Sequence, residues 1–262
     1  MIAPIRLSET YFVAMKSFVA LGVIAALALA GCDKNSNGNT AGTAASGTKV
    51  APIAAPAGSD WTETVALTPE GGFRMGNPDA PVKLVEYASL TCPHCREFSE
   101  TATESLRNEF VKSGKVSWEY RNFVLNPIDI AVSMVQRCQG AQPAFKLIEQ
   151  IYASQEEWLP RLQNITDAEQ ARIQALPDLE RFKALFAATG LGPFFGQRGA
   201  TQAKIDACLS NKANLDQIVK ISDLGRSDGV QGTPTFLING TIAEAAANWP
   251  DLKTQLQAAV GG

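Results

Sequence analysis

A single histidine, His94, serves a chain of 262 residues. Ser/His/Asp and Cys/His hydrolases, histidine-rich zinc sites and histidine-ligated copper all need a histidine elsewhere in the chain, and none is present. Charge of one sign is scarce as well. Lys and Arg number 23 against 26 Asp and Glu, a formal net charge of -3, so no basic field exists to draw in nucleic acid, and no nucleic-acid partner is expected. No apolar run reaches the roughly 20 residues of a bilayer-spanning helix. What the chain does have is 45% hydrophobic residues, enough for one sizeable globular core, and five cysteines, Cys32, Cys92, Cys95, Cys138 and Cys208.

The longest apolar run, FVALGVIAALALA over residues 18–30, follows Arg6 and Lys16 and has the length of a secretory h-region. It ends Leu29-Ala30-Gly31-Cys32, which resembles the bacterial lipobox. That resemblance implies an acylated Cys32 as the mature N-terminus and a membrane anchor; ordinary cleavage after Ala30 or Gly31 is the alternative. Residues 33–60 are rich in Gly, Ala, Ser, Thr and Pro without apolar periodicity, so a disordered tether is expected there. An exported chain keeps its cysteines in an oxidising compartment, where disulfides persist.

From residue 82 the pattern becomes that of a folded α/β domain. Residues 82–90, VKLVEYASL, predict a strand, and residues 92–112 carry helical spacing at Phe98, Leu106 and Phe110. Ser113-Gly114 ends that helix, and residues 116–124 alternate as a second strand, completing a βαβ unit. About 100 residues of helical signal follow. Thr166 with Glu169 reads as a capping box, Pro177 opens a helix that stops at Gly190, and a long helical segment is expected from Thr201 to about Asp228. Residues 232–240, GTPTFLING, give a Pro-led strand and an Asn239-Gly240 hairpin turn into residues 241–246, and a closing helix is expected over 249–260.

Cys92-Pro93-His94-Cys95 falls where the first strand ends and the helix begins. A helix N-terminus offers unpaired N–H groups and about half a positive charge, which stabilises a thiolate on Cys92, and Pro93 is tolerated because its missing N–H costs nothing in the first turn. Cys92 is therefore the candidate nucleophile. Cys95 faces the same side one turn deeper and can resolve a mixed disulfide on Cys92, while His94 can add to thiolate stabilisation. A haem attachment site is excluded because Arg96 follows Cys95, and a zinc site would need a second ligand pair that the chain does not offer nearby.

Two further features stand beside this motif. Glu86 shares its strand face with Val82, Leu84, Ala88 and Leu90, so the carboxylate is isolated among apolar side chains and burial should raise its pKa. It reads either as a proton acceptor for Cys95 or as a structural carboxylate paired with an incoming basic side chain. Cys138 and Cys208 lie on apolar stripes of the helical region; a disulfide between them is expected in an oxidising compartment, with two buried thiols as the alternative.

On Cys92-Pro93-His94-Cys95 at the strand–helix junction, Thr233-Pro234 in GTPTF and the helical stretch between them, the chain resembles DsbA-type thiol:disulfide oxidoreductases over about residues 82–260. The resemblance implies an α/β thioredoxin fold with an inserted helical subdomain. It implies a cis-Pro234 facing the redox pair, a Thr233 backbone that binds extended substrate peptide, and an acidic residue six positions before the first cysteine, where Glu86 stands. Oxidases of the best-known type carry valine before the cis-proline, whereas Thr233 also resembles isomerase and reductase members. The implied domains are a lipoprotein signal over 1–31, a tether over 32–60, thioredoxin-fold parts over 61–125 and 229–262, and the helical insertion over 126–228. The implied function is that of a periplasmic, membrane-tethered oxidase acting on reduced, unfolded exported proteins. It would need no cofactor or metal and would be reoxidised by a quinone-linked membrane partner of the DsbB type. A disulfide reductase or isomerase kept reduced by a membrane electron donor, and a lipoprotein delivering a soft metal through its thiol pair, are the alternatives. No heptad repeat precedes the fold, and a monomer is expected.

Overall fold

A computed structural model of the chain describes residues 50–246 and 248–261. The export signal over 1–31, the lipidation site Cys32 and the tether as far as residue 49 lie outside the described residues. The described end of the tether departs from the expectation. Residues 50–60 form no helix or strand, yet they are fastened to the domain: the Val50 N–H donates to Val260 O (3.0 Å), the Ile53 N–H to Ser113 O (2.8 Å), and the Trp61 indole N–H to Ile53 O (2.8 Å). Pro52 and Ile53 remain exposed, so the segment is held by these hydrogen bonds and by the partly buried Ala55 packed on the core, and the disorder expected as far as residue 60 does not extend over residues 50–60.

A six-stranded sheet organises the domain, in the order β1-β2-β4-β3-β5-β6. The central pair is β3 (Val82–Ala88) and β4 (Val116–Asn122), which run parallel with Glu86 opposite Tyr120 and Leu84 opposite Trp118. Between them lies α1 (Pro93–Ser105), which widens into a π-helical turn over Leu106–Val111 and buries Cys95, Phe98, Ala102 and Leu106 against one face of the sheet. A short hairpin, β1 (Val65–Leu67) and β2 (Phe73–Met75), adds antiparallel to β4. The sequence reading placed no strands there, because three-residue strands are too short to show alternation.

Eight helices connect β4 to β5: α2 (Pro127–Arg137), α3 (Ala144–Ala153), α4 (Gln155–Trp158), α5 (Asp167–Gln174), α6 (Asp178–Thr189), α7 (Gly192–Gly196), α8 (Gln202–Leu209) and α9 (Lys212–Ser227). Thr166 caps α5 by accepting the Glu169 N–H, and Gly190 ends α6 in the left-handed conformation at φ 70°. The single long helix expected from Thr201 is two helices. Ser210 and Asn211 break it, since the Asn211 side chain accepts the Asn214 N–H (3.1 Å) and competes with helix continuation. A disulfide joins Cys138, the C-cap of α2, to Cys208 in α8, with their Cα atoms 5.8 Å apart.

The chain re-enters the sheet through β5 (Thr235–Ile238), antiparallel to β3, and turns at Asn239 (φ 50°) and Gly240 (φ 82°) into β6 (Thr241–Ile242). Closing the fold, α10 (Trp249–Ala259) lies beside α1, where Phe98 meets Phe236 at 4.5 Å and Trp249 at 6.5 Å between ring centroids. Helix α9 covers the opposite face, packing Ile221 with Tyr87, Phe123 and Leu237. Gly225 permits that approach: a Cβ there would come within 2.9 Å of both rings, Phe123 and Tyr87. The result places the C-terminal end of β3, the N-terminus of α1 and the loop entering β5 at one point.

Candidate active site

Cys92 is the N-cap of α1, in an extended conformation (φ -83°, ψ 122°) with Pro93 in the first turn, so its Sγ stands over the open helix end and accepts the Cys95 N–H at 3.4 Å. Both cysteines are free thiols. Cys92 is 4% exposed and Cys95 is fully buried. The Thr233-Pro234 peptide bond is cis, and the Thr233 carbonyl accepts from Cys92 Sγ at 3.3 Å.

The two thiols sit three residues apart and titrate in opposite directions. Cys92 is lowered to about 5, first because the Cys95 thiol donates to it, with help from the Thr233 side chain and the backbone N–H groups of Cys95 and His94 against the opposing effect of burial. Cys95 is raised well above the usual thiol value, chiefly by burial and then by its bond to Cys92 and the nearby Cys92 charge. The pair is poised as thiolate outside and thiol inside.

Glu86 lies beneath this pair, fully enclosed, with its pKa raised to about 8 by burial foremost; the Trp118 indole N–H, donating to Oε2 at 2.9 Å, opposes that rise and the Cys92 charge adds to it. No basic side chain bonds Glu86 among the described residues; its partner is Trp118, on the neighbouring strand. The sequence offered only a generic aromatic at that position. At neutral pH the carboxyl is largely protonated and can give or take a proton near Cys95.

His94 sits differently from the sequence expectation. Its imidazole is 76% exposed, with Nδ1 3.7 Å from Glu97, and what His94 gives to Cys92 is a backbone N–H. The helix geometry turns the third motif residue outward while leaving its amide at the open end.

Residues that the sequence reading missed surround the turn 89–92. Asp129, buried in the first turn of α2, accepts the N–H groups of Leu90 (3.1 Å) and Leu125 (3.0 Å), and burial lifts its pKa to about 6. Gln155 donates to the carbonyls of Leu90 (2.9 Å) and Cys92 (3.2 Å), and Tyr152 donates to Ser89 O (3.0 Å). The one local clue was Asn126-Pro127 three residues before Asp129, a cap signature. The long-range contacts leave no mark in the sequence. Among the described residues, no three His, Cys, Asp or Glu side chains gather as a metal site, and no helix is long and apolar enough to cross a membrane.

A dithiol at a helix N-terminus beside a cis-proline, at one end of a mixed sheet with helices on both faces, defines the dithiol class of thioredoxin-fold proteins. The sequence model of the thioredoxin family matches residues 68–258, and this chain belongs to that family. A solved structure titled protein-disulfide isomerase, from Novosphingobium aromaticivorans, is 32% identical and superposes with a TM-score of 0.69, covering 72% of this chain and 97% of that one. The α-DsbA1 structure of Wolbachia pipientis shares the fold, with a TM-score of 0.57 at 20% identity over 72% of this chain and 90% of that one. Disulfide bond formation protein D of Bacillus subtilis is 24% identical over 194 residues, 72% of this chain and 77% of its own length. A Rickettsia bellii protein provisionally named a protein-disulfide oxidoreductase is 26% identical over 178 residues, 67% of this chain; the match spans 60% of that relative's length.

Proposed function

We propose that the protein is a thiol:disulfide oxidoreductase that works as an oxidase, passing a Cys92–Cys95 disulfide to reduced exported proteins. The observation that carries the reading is the opposed titration of the two thiols, with Cys92 lowered to about 5. A low-pKa thiol is a good leaving group and stabilises the reduced protein, so the disulfide is readily donated. In the forward direction, a substrate thiolate attacks Cys92 Sγ. The Cys92–Cys95 bond breaks, and Cys95 leaves as a thiolate that takes a proton from the Glu86 carboxyl, directly or by relay. A second substrate thiolate then attacks the substrate sulfur of the mixed disulfide and expels Cys92 as a thiolate. Substrate loses two electrons and the dithiol gains them; a quinone-linked membrane partner would remove them. Thr233 and cis-Pro234, beside Cys92, would hold the substrate backbone. The acyl anchor on Cys32 would keep the domain near that partner, on the periplasmic side.

A second reading has its own support. The Novosphingobium neighbour is titled an isomerase, and Thr233 stands where oxidases of the best-known type have valine. A pair kept reduced by a membrane electron donor would run the same exchange backwards. Supplying the oxidised protein in catalytic amount, with glutathione disulfide, to a reduced, unfolded two-cysteine substrate tests the proposal. Rapid net disulfide formation supports the oxidase. Failure to form bonds, with efficient reshuffling of a scrambled substrate, hands the case to the isomerase.

A further inference from the structure

The turn 89–92 carries the chain from the end of β3 to the nucleophile, and each of its residues is held by a side chain from the helical region or its entrance. Tyr152 donates to Ser89 O (3.0 Å). Asp129 Oδ1 accepts the Leu90 N–H (3.1 Å), while its Oδ2 accepts the Leu125 N–H (3.0 Å), so one buried carboxylate ties the exits of β3 and β4 together. Asn126 Nδ2 donates to Thr91 Oγ1 (2.9 Å). Gln155 Nε2 bridges the carbonyls of Leu90 (2.9 Å) and Cys92 (3.2 Å).

We propose that Asp129, Tyr152, Asn126 and Gln155 form a positioning clamp that fixes the turn 89–92 in the N-cap conformation activating Cys92, so that the helical region sets the reactivity of the dithiol. The reasoning is geometric. Thiolate stabilisation needs Cys92 Sγ over the Cys95 N–H, which requires an extended Cys92 at the cap, and that depends on the orientation of the two preceding peptides. Asp129 holds the 89–90 peptide through its N–H, and Gln155 holds the 90–91 and 92–93 peptides through their carbonyls, so the clamp grips the turn on both sides of the Cys92 N–H, which itself closes onto Ser89 O (3.1 Å). A buried carboxylate is acceptor-only and directional, so Asn at 129 would set an amide N–H against one of the two backbone donors and release that strand exit.

The clamp deepens the oxidoreductase reading and rests on it only for its consequence in catalysis. The test is therefore made on the Cys92 thiolate. The full-length protein, the variants Asp129→Asn, Gln155→Leu and Asn126→Ala, and the control Leu185→Ala in α6 are compared by iodoacetamide alkylation of Cys92 across pH and by equilibration with glutathione. The clamp predicts a higher alkylation midpoint in the clamp variants, with alkylation at pH 6 about tenfold slower for Asp129→Asn and Gln155→Leu, and a pair harder to reduce by glutathione. Leu185→Ala should lose thermal stability without moving the midpoint. Burial lifts Asp129 to about 6, so it is mostly protonated at the Cys92 midpoint near 5, and whatever charge Asp129→Asn removes can only lower that midpoint; a rise therefore reports positioning. If Asp129→Asn does not fold, Gln155→Leu and Asn126→Ala decide. An unmoved or lowered midpoint in the folded clamp variants overturns the inference. A wild-type protein that is inactive but keeps a lowered Cys92 midpoint would instead sink the oxidase reading and leave the clamp standing.

Discussion

Two cysteine pairs sit in one small domain and behave in opposite ways. Cys138 and Cys208, 70 residues apart in sequence, are bonded to each other and tie α2 to α8. Cys92 and Cys95, three residues apart, are both free, one poised at the helix end and one sealed beneath it. The difference lies in the surroundings of the sulfurs. Open helix N–H groups, an enclosed carboxyl and a cis-proline loop surround the second pair, and the described structure offers the first pair no such groups. The proposed redox function thus resides at the helix terminus, and the bridge elsewhere ties the scaffold that presents it.

The sharpest way to break that contrast is to remove the nucleophile. Cys92→Ala should reduce disulfide transfer to the uncatalysed background while Cys138–Cys208 stays oxidised, as read by mass after alkylation; surviving turnover would move the chemistry elsewhere. Glu86→Gln comes next. Attack on Cys92 should be nearly unchanged, while the step that exchanges a proton with Cys95 slows on the order of a hundredfold and loses its pH dependence near pH 8. Burial raises the Glu86 pKa from 4.5 to about 8, so folding is unpenalised below about pH 4.5 and loses stability as pH rises through about 8. Chemical denaturation of the oxidised Glu86→Gln protein should show that decline flattened. Cys138→Ala should lower stability by up to roughly 4 kcal/mol in the chain-entropy account while leaving Cys92 alkylation as in the wild type; an altered alkylation profile would show that the two regions are coupled. His94→Ala should be the mildest, moving the Cys92 midpoint by no more than about one unit, because the backbone N–H survives the substitution.

The redox motif was legible because its chemistry is local. Cys92-Pro93-His94-Cys95 at a strand–helix junction specifies a cap, a missing N–H and a turn's separation, all within four residues. The central βαβ unit, the Asn239-Gly240 turn and the Gly190 stop were readable for the same reason. Glu86 was half legible: its apolar strand face announced burial, but Trp118 comes from a strand whose register no local pattern fixes. Asp129, Tyr152 and Gln155 were invisible as site residues, since each acts through backbone groups of a turn tens of residues away. His94 was read as an aid to the Cys92 thiolate, but only the structure distinguishes the backbone N–H that serves this from the outward imidazole. The β1–β2 hairpin escaped because its strands are three residues long, and the break at Ser210-Asn211 because apolar spacing continues across it.

Equilibration of the purified protein with defined ratios of reduced and oxidised glutathione tests the central claim most directly, read by alkylation of Cys92. A Cys92 lowered to about 5 stabilises the dithiol, and the account predicts a potential well above the roughly -270 mV of a thioredoxin, with the pair readily reduced by glutathione. A potential at or below that of thioredoxin would contradict it.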